Sequence, residues 1–233
     1  QARALEDGRL ARESARTRQL EQLEEAVVET ETAYERLIEE KHPFEGMIQE
    51  KPSDYTHQHV TTGTGLRVVL DAANIGYSTG LPADLSSSAA AAAKPPFDVQ
   101  ALQRAIEFFS ALGMHVVAFL PAAFVKKRLS AARKADNARM VTEEVEALFE
   151  MVCSKIITLV PAGADDDLYI LHYARKHCCF IVSNDWYADH INKHEERMGR
   201  EMGKSMRHWV DTNRSSYLFV QPGGEFMLSP CSS

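Results

Sequence analysis

Acidic residues at three places in the chain have the type and setting that metal-ion chemistry requires. Asp71 ends the apolar run LRVVLD, three aspartates at 165–167 come shortly after the run KIITLV, and Asp185 follows the run CCFIVS. Carboxylates that converge repel one another unless a cation neutralises them. Oxygen ligands suit Mg²⁺ or Mn²⁺, and such ions activate water and stabilise charge on a phosphodiester. We therefore predict a Mg²⁺ or Mn²⁺ site with Asp71, Asp166, Asp167 and Asp185 as ligands.

A purely structural role for the same aspartates is the alternative. An aspartate at the start of a helix commonly caps backbone N–H groups and interacts with the helix dipole. All three motifs nevertheless follow predicted strands, and three consecutive aspartates exceed what capping requires. Asn74, Ser183 and Asn184 lie close to these motifs and can orient a bound water or contact a phosphate oxygen. We therefore take Asn74, together with the acids, as a candidate catalytic residue.

The segments around the acids predict the elements that position them. Short, apolar and β-branched runs predict buried strands at 66–71, 115–121, 155–160 and 178–183. Helical patterns occupy 98–113, 122–152, 167–177 and 186–213, and a hairpin is predicted from 216–220 and 225–228. Alternating strands and helices predict an α/β fold in three layers, with a parallel, Rossmann-like sheet. In such sheets functional groups collect beyond the carboxyl ends of the strands.

An amphipathic helix is predicted for residues 1–41. Its apolar positions recur three, four or seven residues apart and are Leu20, Leu23, Val27, Tyr34, Leu37 and Ile38. This spacing is typical of a surface helix or a short coiled coil. The apolar stripe either packs on its own domain or mediates self-association or binding to a protein partner. We predict a charged helix at 1–42, a linker at 43–65, and one main domain at 66–230, with a surface loop at 78–96.

Composition restricts the class of protein. The net charge of −7 argues against indiscriminate binding to nucleic acids, although it leaves room for a local basic face. No apolar run approaches the ~20 residues of a membrane-spanning helix, so we expect no membrane partner. The four cysteines form no CxxC pair, which disfavours a cysteine-rich zinc site and favours buried, reduced thiols in an intracellular protein. Because the chain starts at Gln1, we expect a fragment or processed product, and cytoplasm, nucleus and mitochondrion all remain open.

Three motifs resemble those of a known family. VVLDAANIG, DDDLYILHYA and FIVSNDWYADH are similar to the acidic motifs of the NYN branch of PIN-domain ribonucleases. The tail segments RHWVDTNRSSYLFV and EFMLSP are most similar to the Regnase (MCPIP) group, and the resemblance covers about residues 66–230. It implies a PIN/NYN-like fold and Mg²⁺-dependent endonucleolytic cleavage of RNA that leaves a 5′-phosphate. By position it also implies metal-binding roles for the four acids named above, with Asn74 and Asp189 as further motif residues.

The sequence departs from the family pattern around these motifs. A Gly usually follows the first Asp, but this chain has Ala72; an Arg usually stands where Ala188 does; and PAGA at 161–164 replaces a basic loop. These departures leave open a second hypothesis, a weak or inactive NYN domain that serves as a structural subunit of a ribonucleoprotein complex. The proteinaceous RNase P enzymes share some of the same features, so processing of pre-tRNA is a further option.

Basic residues in two segments are candidates for binding RNA. The first segment contributes Lys126, Lys127, Arg128, Arg133 and Lys134. The second contributes Lys193, Arg197, Arg200 and Lys204, whose spacing predicts one face of one helix. Such stripes can follow phosphates, although a solvated face that pairs with neighbouring glutamates has the same pattern. Trp186, next to Asp185, can stack an unpaired base, or it can pack at the rim of the core.

Overall fold

The predicted strands form one parallel sheet. The computed structural model describes residues 2–39, 65–78, 97–134, 138–220 and 224–229. Its strands are β1 (Arg67–Asp71), β2 (His115–Pro121), β3 (Ile157–Val160), β4 (Phe180–Val182) and β5 (Arg214–Ser215). Their order across the sheet is β3-β2-β1-β4-β5, and every neighbouring pair is parallel. The central strand β1 thus ends with Asp71 at the carboxyl edge, between the ends of β2 and β4.

Helices cover both faces of the sheet, so the predicted three-layer α/β fold is confirmed. They are α1 (Ala2–Glu39), α2 (Ala72–Ser78), α3 (Val99–Ala111), α4 (Ala122–Lys134), α5 (Ala138–Cys153), α6 (Asp166–Lys176), α7 (Ala188–Met198) and α8 (Arg200–Asn213). Residues of α1 to α5 bury one face of the sheet, around Leu70 and Phe109. Residues of α6, α7 and α8 bury the other, around Val69 and Ile181. Alternate residues of β1 therefore enter two separate cores.

The N-terminal helix packs on the domain through its middle part. Leu23 and Val27 are each only 1% exposed and belong to the larger core, whereas Leu10 and Val28 are more than half exposed. The helix lies against α4 and α5. The predicted helix is therefore confirmed, and part of its stripe is covered by its own domain. A coiled coil or a partner on the rest of α1 stays a prediction, as do the domain boundaries.

The C-terminal hairpin also forms as predicted. Its strands are β6 (Tyr217–Val220) and β7 (Glu225–Leu228), paired antiparallel. The short strand β5 and the helix α2 were not predicted, because two residues of strand and two turns of helix carry too little periodicity. The linker at 43–65 and the loop at 78–96 lie almost entirely outside the described residues.

One prediction about the second basic segment is wrong. The segment is not one continuous helix, because the chain turns at Gly199, where φ is +92° and only glycine is unstrained. Helices α7 and α8 then pack against each other so closely that a Cβ at Gly203 would lie 2.5 Å from the Cβ of Glu195. Lys193 and Arg197 consequently lie on a different helix from Lys204.

The cysteines are less buried than predicted. Among the cysteines that the structure describes, Cys179 is buried, Cys153 and Cys178 are exposed, and none is in a disulfide. Cys178 adopts a left-handed backbone conformation with φ of 50°, and β4 begins only at Phe180.

None of the described helices is both long enough and apolar enough to cross a bilayer.

Candidate active site

A cleft opens at the carboxyl edge of the sheet, where the sequence predicted the site. Its volume is about 390 Å³. The residues that line it are Asp71, Ala73, Asn74, Tyr77, Ser78, Asp166, Asp167, Asn184 and Asp185. They come from the end of β1, the helix α2, the start of α6 and the loop that follows β4. The structure thus brings all five candidate catalytic residues into one cavity.

Asp71 forms the floor of this cleft. It is 4% exposed, and its Oδ1 accepts a 2.9 Å hydrogen bond from the backbone N–H of Asn74. Its Oδ2 accepts a 2.7 Å bond from the hydroxyl of Ser183 and a longer, 3.5 Å bond from the hydroxyl of Tyr187. Asp71 therefore does cap α2, as the structural alternative requires, but it does so while it lines an acidic cleft.

Burial makes ionisation of Asp71 costly. Removal from water raises the pKa of Asp71 to about 7, although the hydrogen bonds from Asn74 and Ser183 favour the ionised form. The negative charges of Asp167 and Asp166 contribute to this raised pKa of Asp71, and burial also raises the pKa of Asp166. A carboxylate in this setting is stabilised by a cation bound between it and its acidic neighbours.

The loop between β4 and α7 holds Asp185 at the rim of the cleft. The backbone N–H of Asp185 donates to the hydroxyl of Ser183 at 3.0 Å. The backbone N–H of Tyr187 donates back to Oδ1 of Asp185 at 2.9 Å. Tyr187 has a left-handed backbone with φ of 52°, and its buried side chain is 1% exposed. Because this residue is anchored in the core, the exposed Asp185 is held in a fixed turn.

A closed set of hydrogen bonds connects Asn74 with the hairpin. Oδ1 of Asn74 accepts from the backbone N–H of Asn184 at 2.9 Å and from the hydroxyl of Tyr217 at 2.8 Å. The side-chain amide of Asn184 donates to the carbonyl oxygen of Tyr217 and accepts from its N–H, both at 3.1 Å. Oδ1 of Asn74 thus already accepts two hydrogen bonds, so the donor Nδ2 is the side-chain atom left to contact a ligand in the cleft.

A second group of ligand atoms lies beside the cleft and was missed by the sequence analysis. Nε2 of His190 lies 3.4 Å from Oδ1 of Asp165 and 3.3 Å from Oδ2 of Asp167. The hydrogen bond with Asp167 raises the pKa of His190, which is 8% exposed. The sequence feature that could have pointed to His190 as a ligand is its position in the motif NDWYADH, within the first turn of α7. Asp165 precedes α6 without capping it through its side chain, so it is free of that structural role.

The cleft acids and the group that contains His190 share Asp167, but they differ in how close their ligand atoms lie to one another. Within the described part of the chain, Asp165, Asp167 and His190 are the one set whose ligand atoms all lie within 4.8 Å of one another. The cleft acids Asp71, Asp166 and Asp185 face the same cavity but stand further apart. Their all-oxygen chemistry and the burial of Asp71 fit a hard divalent cation such as Mg²⁺ or Mn²⁺, whereas the imidazole of the second group is a ligand that also suits transition metals.

The predicted RNA-binding residues differ in exposure and in their partners. Lys126, Lys127, Lys193, Arg197 and Arg200 are exposed. Lys204 is exposed too, but it pairs with Glu201 at 2.9 Å.

Arg128 has structural partners, so its predicted role in RNA binding stays a prediction that competes with them. Its guanidinium joins Glu144 at 3.0 Å and the carbonyl oxygen of Phe97 at 2.6 Å, which ties α4 to α5. The side chains of Arg133 and Lys134 lie outside the described residues. Among the side chains of the first segment that the structure describes, Lys126 and Lys127 are the exposed basic ones.

Solved structures with a similar fold include nuclear protein-only RNase P 2 from Arabidopsis thaliana. One structure of that enzyme is 21% identical, with a TM-score of 0.50, over 88% of this chain and 37% of the other. A second structure of it is 21% identical, with a TM-score of 0.48, over 88% and 36%. The chain therefore spans little more than a third of that enzyme, and the likeness shows the fold.

Sequence comparison identifies the family. No curated protein matches the chain significantly. The profile of the Zc3h12a-like ribonuclease NYN domain matches residues 65–220, which is more than half of the chain and includes every residue of the acidic cleft. The resemblance seen in the acidic motifs is thereby confirmed, and the chain belongs to the Zc3h12a-like ribonuclease NYN domain family.

Proposed function

We propose that this domain is a metal-dependent endoribonuclease that hydrolyses phosphodiester bonds within RNA. The observation that carries the proposal is Asp71, a buried carboxylate at the floor of an acidic cleft in a ribonuclease NYN domain. A buried carboxylate beside two others destabilises the protein without a cation, and such arrangements are typical of functional sites.

The cleft residues divide the chemical work. Asp71, Asp166, Asp167 and Asp185 would hold Mg²⁺ or Mn²⁺, which when bound supplies Lewis acidity and a more acidic water. The Nδ2 of Asn74 donates to a non-bridging phosphate oxygen and so orients the phosphodiester. Asp185, the exposed acid at the rim, accepts a hydrogen bond from the attacking water. Water adds to phosphorus and the 3′ oxygen leaves, so the products carry a 5′-phosphate and a 3′-hydroxyl.

The exposed basic residues supply a path for the RNA backbone. Lys126 and Lys127 lie on α4, whereas Lys193, Arg197 and Arg200 lie on α7 and at the turn into α8. Neutralisation of phosphates by such residues releases counterions, so binding weakens steeply with salt. The acidic net charge of the chain confines this attraction to these places.

A non-cleaving scaffold within a ribonucleoprotein is the second candidate. It is favoured by Ala188, the exposed residue after Tyr187, and by the uncharged segment 161–164 next to the cleft. Both places lack a cation that could hold a phosphate near the acids. A scaffold would retain RNA binding but show no metal-dependent cleavage.

Incubation of the full chain with end-labelled RNA, in Mg²⁺ or Mn²⁺, separates the two candidates. We expect internal cleavage products with 5′-phosphates, which disappear in EDTA and fall by about 100-fold or more in Asp71→Asn. Glu107→Gln, which neutralises an exposed acid on α3, is the matched control and should cleave normally. If the native chain produces no more cleavage than Asp71→Asn with either metal, the enzyme proposal is wrong and the scaffold stands.

A further inference from the structure

Trp186 has an unusual position for a tryptophan. It is 57% exposed, although tryptophan is among the side chains that bury most surface on folding. It lies in the turn between Asp185, which lines the cleft, and the buried Tyr187. An exposed indole next to a catalytic acid is therefore held by a turn that is itself anchored in the core.

Arg214 fixes the plane of this indole. Its guanidinium carbon lies 3.8 Å from the centre of the Trp186 ring, a distance typical of a cation stacked on an aromatic face. The guanidinium is in turn fixed, because Nη1 donates to the carbonyl oxygen of Ser183 and to the hydroxyl of Ser216, both at 2.7 Å. One face of the indole is thus covered by the guanidinium, and the side chain still remains more than half exposed.

We propose that the open face of Trp186, with Arg214 stacked behind it, binds an unpaired nucleobase of RNA beside the cleft. Every base has a flat π surface, so stacking on an indole requires an unstacked base but no particular sequence. Arg214 makes the platform electropositive, which suits a polyanion. A base held there places the adjoining phosphate next to Asp185. The inference rests on the proposed function for its ligand, RNA, and assigns the side chains that would hold an unpaired base beside the cleft.

Fluorescence tests the platform without any cleavage. The chain has two tryptophans, so Trp209→Phe leaves Trp186 as the sole indole, and Asp71→Asn in the same chain keeps the RNA intact. We expect a single-stranded decaribonucleotide to quench the emission saturably in Mg²⁺. The same strand held in a duplex, or made of abasic residues, should quench far less. Unchanged emission at concentrations where fluorescence anisotropy shows the labelled RNA to be bound overturns the inference.

Substitution of Trp186 provides the second test. Trp186→Leu should weaken binding of the single-stranded RNA by roughly 5- to 150-fold, since stacking is worth ~1–3 kcal/mol per base. Trp186→Phe should recover part of that loss, and the duplex should bind all three proteins equally. Equal affinity of Trp186→Leu and the native chain for the single strand contradicts the platform.

The two proposals fail in different ways. Quenching by single-stranded RNA, together with no cleavage by the native chain in any metal, supports the platform and rejects the enzyme. Cleavage by the native chain that is unaffected in Trp186→Leu, with constant emission from Trp186, rejects the platform and leaves the enzyme in place.

Discussion

The hydroxyl of Ser183 donates a 2.7 Å hydrogen bond to Oδ2 of Asp71, and both residues are buried. The same hydroxyl oxygen accepts from the backbone N–H of Asp185 at 3.0 Å. One side chain at the end of β4 thus joins the acid of β1 to the acid of the following loop. Because a hydroxyl can donate once and accept at the same time, Ser183 fixes the separation of two proposed ligands without neutralising either.

Ser183→Ala should weaken metal binding while the fold is kept. The loss of a hydrogen bond to an ionised carboxylate raises the pKa of Asp71 further, so a larger fraction is protonated and unable to bind a cation. We expect the half-saturating Mn²⁺ concentration at pH 7 to rise by roughly 10- to 150-fold, because such bonds are worth ~1.5–3 kcal/mol. The defect should be smaller at pH 8.5. Isothermal titration of Mn²⁺ measures it, with Ser110→Ala, an exposed serine of α3, as control.

Asp71→Asn should stabilise the metal-free protein at alkaline pH. The pKa of Asp71 is raised from 3.8 to about 7 on folding, so between these values the folded state holds a proton that the unfolded state has released. The stability of the native chain therefore falls as pH rises from about 4 to 7. Asparagine does not ionise, so in EDTA at pH 8 the variant should melt several degrees higher, whereas at pH 4 the two should melt alike.

Addition of a metal ion should reverse the order of the melting temperatures of the native chain and Asp71→Asn. A cation that binds only the folded state stabilises it in proportion to its excess over the dissociation constant. Mn²⁺ should therefore raise the melting temperature of the native chain at pH 8 and leave Asp71→Asn unchanged. An equal response of both proteins to Mn²⁺ would show that Asp71 is not a ligand, whatever its pKa.

The position of the cleft could be predicted from the sequence. In parallel sheets functional groups collect beyond the carboxyl ends of the strands, and the end of an apolar strand can be recognised in a sequence. Asp71 closes a continuously apolar run, and this pattern is enough to place it at the carboxyl edge beside Asp167 and Asp185. Local patterns could not show the partners of these acids. The contact of His190 with Asp167 depends on how α7 packs on α6, and the bond from Tyr217 to Asn74 joins residues 143 positions apart. Such long-range pairs leave no periodic trace in one sequence.

The basic residues also show that local sequence patterns do not reveal long-range contacts. The spacing of Lys193, Arg197 and Lys204 fitted one helix face only while the helix was assumed to continue through Gly199. A glycine within a charged helical pattern is a weak signal, because some helices tolerate it. Arg128 shows that charge alone does not distinguish a free cation from one committed to a carbonyl oxygen. Burial and hydrogen-bond partners decide both questions, and they depend on the three-dimensional fold.

Tyr217→Phe should impair catalysis more than metal binding. The change keeps the buried ring and removes the hydroxyl that donates to Oδ1 of Asn74, so the amide gains freedom to rotate away from the phosphate. We expect kcat to fall roughly fivefold, in line with one neutral hydrogen bond of ~1 kcal/mol, with Mn²⁺ affinity unaltered. Tyr173→Phe, near the opposite end of β1, is the control. A loss of Mn²⁺ affinity equal to the loss in kcat would contradict a role in positioning Asn74.

His190→Gln should destabilise the metal-free protein most at low pH. The pKa of His190 is raised in the folded state, chiefly by its hydrogen bond with Asp167, so its contribution is present below pH 6.5 and is lost as pH rises through the raised value. We expect a cost of about 1 kcal/mol at pH 6 in EDTA, measured by urea unfolding, and a smaller cost at pH 9.

His194→Gln is the matched control for that experiment. Burial lowers the pKa of His194, so its protonation opposes folding and the native histidine becomes a greater disadvantage at low pH. The two variants should therefore change with pH in opposite directions. A parallel pH dependence would assign the effect of His190→Gln to lost packing rather than to its charge.

Leu23→Ala should destabilise the whole domain, although it lies in the N-terminal helix outside the family match. Leu23 is 1% exposed and packs in the same core as Val27 and the strands of the sheet, so its truncation leaves a cavity. We expect a loss of ~2–5 kcal/mol in the free energy of unfolding, in one transition shared by the helical and tertiary signals. Val28→Ala, which truncates the neighbouring but 57% exposed side chain, should cost little.

If Leu23→Ala melts α1 alone and leaves the acidic cleft able to bind Mn²⁺ with unchanged affinity and stability, then α1 is an appendage. Coupled loss of both would mean that the ribonuclease fold needs this helix to complete its core.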